Sequence, residues 1–132
     1  MSAADCLVEI QARLGMTGRY GEMMLDGRAV GEISICDIDQ DEIWISGFLI
    51  LEGLQRQGLG RAILQQIVEA CDAHSTQAYL EAFWRPDIDD GGHLVRFYTA
   101  HGFVAEDGPD EQGYVEMRRQ PVPCPSLSLA SL

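Results

Sequence analysis

Residues Ile43 to Leu51 are apolar on both alternations, with Ile43, Ile45, Leu49 and Leu51 on one and Trp44, Phe48 and Ile50 on the other. A strand of that kind suits the middle of a sheet covered on two faces. It leads into Gln55-Arg56-Gln57-Gly58-Leu59-Gly60-Arg61, after which Ala62, Ile63, Ile67, Val68 and Cys71 recur at helical spacing. Gln65, Gln66, Glu69 and Asp72 lie mostly opposite them. A buried strand, a glycine turn and an amphipathic helix in that order place the chain in the α/β class. A helix N-terminus also carries unpaired N–H groups and the positive end of the macrodipole, so it attracts anions. Gly58 and Gly60 let an anion approach those amides without a Cβ in the way. A phosphorylated ligand is the expected occupant.

The rest of the chain fits around this unit. Tyr20 to Leu25 and Arg28 to Cys36 flank Asp26-Gly27, a preferred two-residue hairpin turn. Gly47 interrupts the central strand, and a glycine there marks a bulge or a close backbone approach. Gln77 to Phe83 reads as the next strand, stopped by Arg85-Pro86. Leu94, Phe97, Tyr98 and His101 repeat at i, i+3, i+4 and i+7, a short second helix closed by Gly102 in an αL cap. Phe103-Val104 and Tyr114 to Arg118 form a last pair of strands around an acidic loop. In the first twenty residues Val8, Ile10, Ala12 and Leu14 alternate as in a strand, while Leu7, Ile10 and Leu14 also fit a helix; the alternation favours the strand. Residues 1–120 form one domain, and the Pro- and Ser-rich segment 121–132 is expected to be a flexible tail.

Composition narrows the classes of function. At 132 residues and 46% hydrophobic the chain has enough apolar mass for a real core, with no apolar run long enough to span a membrane. It shows no secretory signal, which makes the cytoplasm the expected compartment. Cys6, Cys36, Cys71 and Cys124 are far apart, without the paired spacing of a metal or thioredoxin-like site, so buried free thiols are expected and no metal. A net charge of −12 repels nucleic acid and anionic membranes. It suits a cationic partner or simple solubility. The acids cluster at Asp37, Asp39, Asp41 and Glu42 in one connection, at Asp87, Asp89 and Asp90 in another, and from Glu106 to Glu111 in a third.

Two landmarks in sequence carry a resemblance. Gln55, Gly58 and Gly60 match an Arg/Gln-x-x-Gly-x-Gly/Ala signature, and Phe97-Tyr98 followed by Gly102-Phe103 matches a Leu-Tyr-x-x-x-Gly-Phe pattern. With the order of elements between them, the chain resembles the GNAT (GCN5-related N-acetyltransferase) superfamily over roughly Gly31 to Arg118, with a shortened N-terminal part. Rival readings of the glycine turn fit less well. A dinucleotide fingerprint needs a third glycine where Ile63 stands, and a P-loop needs Gly-Lys-Ser/Thr. An unrelated nucleotide-binding α/β domain remains the reading from a different class.

The resemblance implies a mixed α/β (α+β) sheet of about six or seven strands with flanking helices, and acetyl-CoA as the cofactor. It implies that backbone groups near Leu49, Ile50 and Leu51 pair with the pantetheine arm. The amides of Arg56 to Arg61, in the turn opened by Gln55 and including Gln57, Gly58, Leu59 and Gly60, would hold the pyrophosphate. Arg56 and Arg61 would add local positive charge, with solvated helix-end residues as the competing reading. Tyr98 stands where the family places its general acid and would also touch the cofactor. Its competing reading is a tyrosine packed on a helix face.

Transfer to an amine requires loss of a proton, because an aliphatic amine has a pKa near ~10.4. Glu42 and Glu81 are the candidate bases, each also readable as a strand-edge carboxylate. His93 and His101 are candidates by residue type, with His101 better suited to a helix C-terminus. Gly91 stands where the family often has asparagine, which motivates a second function: a CoA-binding module of the same fold without turnover. The acceptor is expected to be a small-molecule or protein amine, and the resemblance is compatible with a homodimer.

Overall fold

A computed structural model describes residues 2–51, 54, 58–83 and 93–122. Gln55, Arg56, Gln57, the segment 84–92 with Asp87, Asp89, Asp90 and Gly91, Cys124 and the rest of 123–132 lie outside the described residues. Helix α1 (Ala3–Leu14) opens the chain, followed by strands β1 (Tyr20–Leu25), β2 (Arg28–Asp39) and β3 (Glu42–Ile50). Helix α2 (Leu59–Ala73), strand β4 (Gln77–Phe83), helix α3 (His93–Thr99) and strands β5 (Val104–Ala105) and β6 (Tyr114–Arg119) complete it. The sheet has six strands in the order β1-β2-β3-β4-β6-β5, with β3 and β4 parallel and the other pairs antiparallel.

The strand expected near the N-terminus is a helix. Ser2 accepts a hydrogen bond from the Asp5 amide as N-cap, and Gly15 closes the last turn at φ 64°. Ala3, Cys6, Leu7, Ile10 and Leu14 are buried, whereas Val8 is 64% exposed. The spacing i, i+3, i+4 and i+7 therefore outweighs the alternation through Val8. Capping at both ends supplies the start and stop that periodicity alone left open.

The hairpin at Asp26-Gly27 has φ of 54° and 77°, the paired positive values of a type I′ turn. Strand β2 runs to Asp39, so Asp37 and Asp39 belong to a strand; the connection is the tight turn at Gln40-Asp41. Gly102 closes α3 at φ 94°.

Ile33, Ile35, Ile43, Ile45, Ala78, Leu80, Ala82, Val115 and Met117 form the buried face of the sheet, packed in one core with α1 and α2. Cys6 on α1 and Cys71 on α2 are both buried, with their sulfurs 3.8 Å apart, while Cys36 is half-buried. The opposite face is polar and aromatic. On it Ser46 Oγ donates to Ser34 Oγ (2.9 Å), and the Trp44 and Tyr79 rings lie 6.5 Å apart.

The two-sided cover expected for Ile43 to Leu51 holds on the core face, where Phe48 and Ile50 pack beside Ile43 and Ile45. Ile43 and Ile45 are buried, but Leu49 is 58% and Leu51 44% exposed. The cause is a bulge at Ser46, described next, which shifts the alternation so that Phe48 and Ile50 take the core face and Leu49 and Leu51 the other.

Candidate functional site

Strands β3 and β4 pair from Glu42↔Gln77 to Ile45↔Leu80, and there the ladder stops. Both strands continue, β3 to Ile50 and β4 to Phe83. The outer neighbours hold them: β2 stays paired with β3 through Gly31↔Ile50, and β6 with β4 through Phe83↔Tyr114. From Ser46 to Leu49, therefore, β3 has no strand partner on its β4 side among the described residues. A bulge sits at the fork, because Ser34 pairs with Gly47 and Ile35 with Ile45, leaving Ser46 as the extra residue. A bulge bends its strand and increases the local twist, which turns β3 away from its parallel neighbour. The glycine at position 47 had marked this place.

The mouth of α2 lies beyond the end of β3. Gly58 is its N-cap at φ 77°, and no side chain caps it. Among the described residues, no side chain takes up the N–H groups of the first turn, which suit an external acceptor. An ideal Cβ on Gly58 would meet no atom within 4 Å; one on Gly60 would lie 3.5 Å from Phe97 Cζ and 3.8 Å from Ile50 Cγ1. Gly58 is required by its backbone conformation, whereas Gly60 lies where β3, α2 and α3 converge. Leu59 is half-buried against the core, and Arg61 is exposed on the first turn.

Helix α3 carries Tyr98, which is 7% exposed. Its ring meets Phe97 at 5.3 Å and Phe103 at 5.6 Å, both near edge-to-face. Burial pushes the phenol up to about 12, so it holds its proton throughout the physiological range. His101 Nδ1 lies 3.0 Å from the Phe97 carbonyl, a structural contact at the helix end. His93 opens α3 and is exposed.

The two glutamates differ in setting. Glu42 lies at the closed end of the β3–β4 pair, its side chain 12% exposed, with Oε2 accepting from Arg118 Nε at 2.8 Å. Arg118 also pairs with Glu106 and stacks 4.7 Å from the centre of the Tyr79 ring. Tyr79 Oη donates to Glu116 Oε1 (2.8 Å), and burial followed by that hydrogen bond raises the phenol. Glu81 is the first β4 residue past the fork, exposed and opposite Glu116 on β6. It makes no ion pair among the described residues. Arg118 was not singled out in the sequence, because a strand arginine whose partner is 76 positions away leaves no local signal.

A sequence-family model for the acetyltransferase (GNAT) family matches residues 7–103. The chain belongs to the acetyltransferase (GNAT) family. Solved GNAT structures share the fold. Ard1 from Thermoplasma volcanium superposes with a TM-score of 0.60 at 22% identity, over 88% of this chain and 78% of that one. The ribosomal-protein-S18-alanine N-acetyltransferase of Escherichia coli gives 0.61 at 18% identity, over 83% and 75%. Arabidopsis thaliana Naa50, solved with the bisubstrate analogue CoA-Ac-MVNAL, gives 0.60 at 14%, over 89% and 78%. Further GNAT folds were solved with acetyl-CoA or coenzyme A, the cofactor of the family. No curated protein sequence matches the chain. Among the described residues of this GNAT domain, no helix is long and apolar enough to cross a membrane.

Proposed function

We propose that the protein is an N-acetyltransferase that moves an acetyl group from acetyl-CoA to an amine, with the pantetheine arm seated in the fork between β3 and β4. The fork carries this reading: the ladder ends at Ile45↔Leu80 while both strands run on. Exposed Leu49 and Leu51 at its rim offer apolar contact, and the uncapped mouth of α2 at Gly58 suits the pyrophosphate. Bound acetyl-CoA supplies the acetyl group as a thioester.

The chain's own residues then divide the work. Backbone amides of Ser46 to Leu49 on the side facing β4 orient the arm and donate to the carbonyl oxygen. Amides of Leu59, Gly60 and Arg61, with Gln55, Arg56 and Gln57 before them, hold the phosphates. Tyr98 keeps a proton for the departing sulfur. Glu81, without an ion pair among the described residues and next to the fork, accepts the proton of the amine, directly or through water. Glu42 is engaged by Arg118 and serves the sheet.

The acceptor is a cationic amine of small-molecule or protein kind, drawn by the exposed acids Glu81, Glu116 and Glu106 to Glu111. Three free thiols at Cys6, Cys36 and Cys71 fit a reducing compartment such as the cytoplasm.

Free-thiol release from acetyl-CoA, run with polyamines, amino sugars, amino acids and peptide N-termini, tests turnover. Thiol release with at least one amine, and a melting temperature raised by coenzyme A, is the expected result. No thermal shift with coenzyme A or acetyl-CoA would remove the proposal. A shift without thiol release from any amine would instead assign a binding module of the same fold.

A further inference from the structure

Arg119 is the last residue of β6, and its side chain is 8% exposed. It is the one buried charged residue among those described. All three guanidinium nitrogens are used. Nη1 and Nη2 form a two-pronged pair with Asp72 Oδ1 (2.7 Å) and Oδ2 (3.0 Å) on the last turns of α2. Nε donates to the His101 carbonyl at 2.8 Å, just past the end of α3. Asp72 Oδ1 also accepts from the Val122 amide (2.8 Å), which ties down the chain beyond β6. One side chain thus joins two helices and the final strand.

Gly102 shows how closely the group is built in. A Cβ there would lie 3.1 Å from Arg119 Nε and 3.6 Å from its Cδ. The residue must also adopt φ 94°. Glycine both turns the chain and leaves room for the guanidinium.

The consequence falls on Tyr98. Helix α3 is seven residues long, too short to be stable by itself, so its orientation comes from its tertiary contacts: Val95, Phe97 and Tyr98 packed on the core, and the turn that closes its C-terminus. The amides of His101 (2.9 Å) and Phe103 (3.2 Å) both donate to the Tyr98 carbonyl. Whatever fixes the His101–Phe103 turn therefore fixes the Tyr98 backbone. Phe103 packs edge-on against the Tyr98 ring, so the same turn also walls the side chain. The other end of α2 is remote: from Gly58 to Asp72 the helix rises about 20 Å. The mouth that would hold the cofactor's phosphates does not depend on Arg119.

We propose that Arg119, braced by Asp72, is a positioning residue that sets the Tyr98 hydroxyl for proton donation, acting through the His101 carbonyl. This rests on the acid role given to Tyr98 above. Lysine at 119 keeps the charge but has a single nitrogen, which cannot serve the two Asp72 oxygens and the His101 carbonyl in the guanidinium's planar geometry. In Arg119→Lys, kcat should fall about ten-fold, the scale of a misplaced general acid, while KM for acetyl-CoA stays within about two-fold. In a Tyr98→Phe background the same substitution should lower kcat no further.

A purely structural role would instead lower kcat equally in both backgrounds, and that outcome overturns the proposal. An unchanged kcat in folded Arg119→Lys overturns it as well. A readout independent of turnover is the 13C-tyrosine NMR signal of Tyr98, assigned by its loss in Tyr98→Phe. It should move or broaden in Arg119→Lys, and an unmoved signal overturns the placement. Should Tyr98→Phe by itself leave kcat intact, the acid role fails and the NMR signal alone judges the positioning. If Arg119→Lys does not fold, Asp72→Asn carries the same measurements, because it keeps the shape of the brace and removes its charge.

Discussion

Tyr98 lies edge-on between Phe97 and Phe103, and its phenol is lifted to about 12 by burial alone. Replacing it with phenylalanine keeps the ring contacts, so Tyr98→Phe should leave the melting temperature nearly unchanged and lower kcat about ten-fold or more. An unchanged kcat would remove Tyr98 from the chemistry. The raised value also predicts alkaline behaviour. The folded phenol titrates above its usual value, so the unfolded chain ionises first. Stability is unaffected below about pH 10 and falls as pH rises towards 12, by at most about 2–3 kcal/mol for such a shift. Urea unfolding between pH 9 and 12 should show a shallower fall in Tyr98→Phe; equal slopes would contradict the shift. At Gly58 the constraint is conformational. Gly58→Ala places a Cβ at φ 77°, at a cost of about 1–2 kcal/mol, and should weaken the thermal shift given by coenzyme A. Gly60→Ala adds only an ordinary 3.5 Å contact with Phe97 and should keep both.

Strand β3 does two different things along its length. Its first half is a paired core strand, and its second half is an edge facing a fork. Two glutamates mark these halves. Glu42→Gln loosens the pair with Arg118, which is partly exposed, so about 1 kcal/mol or less of stability should be lost with kcat retained. Glu81→Gln should leave unfolding unchanged and lower kcat about ten-fold or more. The reverse pattern in steady-state kinetics would assign the base to Glu42. Helix α1 offers an element-scale check on the N-terminus. Ser2→Ala removes the cap on Asp5 and should cost about 1 kcal/mol in urea unfolding. No change in stability would mean that the cap does not hold α1.

Over the whole molecule the cofactor and the thiols report on the fold. Coenzyme A at about 100 times its Kd should add about 2.7 kcal/mol, or roughly 10 °C for a domain of this size. Thiol chemistry should be graded by depth. Cys71 is pushed up by the Cys6 sulfur beside it and by burial, and both are inaccessible. In a Cys124→Ser variant, a disulfide reagent should therefore modify Cys36 first and reach Cys6 and Cys71 only on unfolding. Equal rates at all three would mean that α1 opens readily from α2.

Residues adjacent in the chain determined much of this protein. Asp26-Gly27, the αL cap at Gly102, the bulge marked by Gly47 and the period of α2 follow from backbone angles and side-chain spacing over a few residues. Such features were legible without coordinates, and so were the two landmarks of the family. Tertiary structure decided the rest. Helix α1 prevailed over a strand because Cys6, Ile10 and Leu14 found α2 and the sheet to pack against. The fork depends on where a parallel ladder stops, and Glu42 was taken up by an arginine 76 positions on. The brace of Arg119 on Asp72 spans 47 positions. Interactions over such separations depend on which surfaces meet when the core closes, and no short stretch of sequence encodes that meeting.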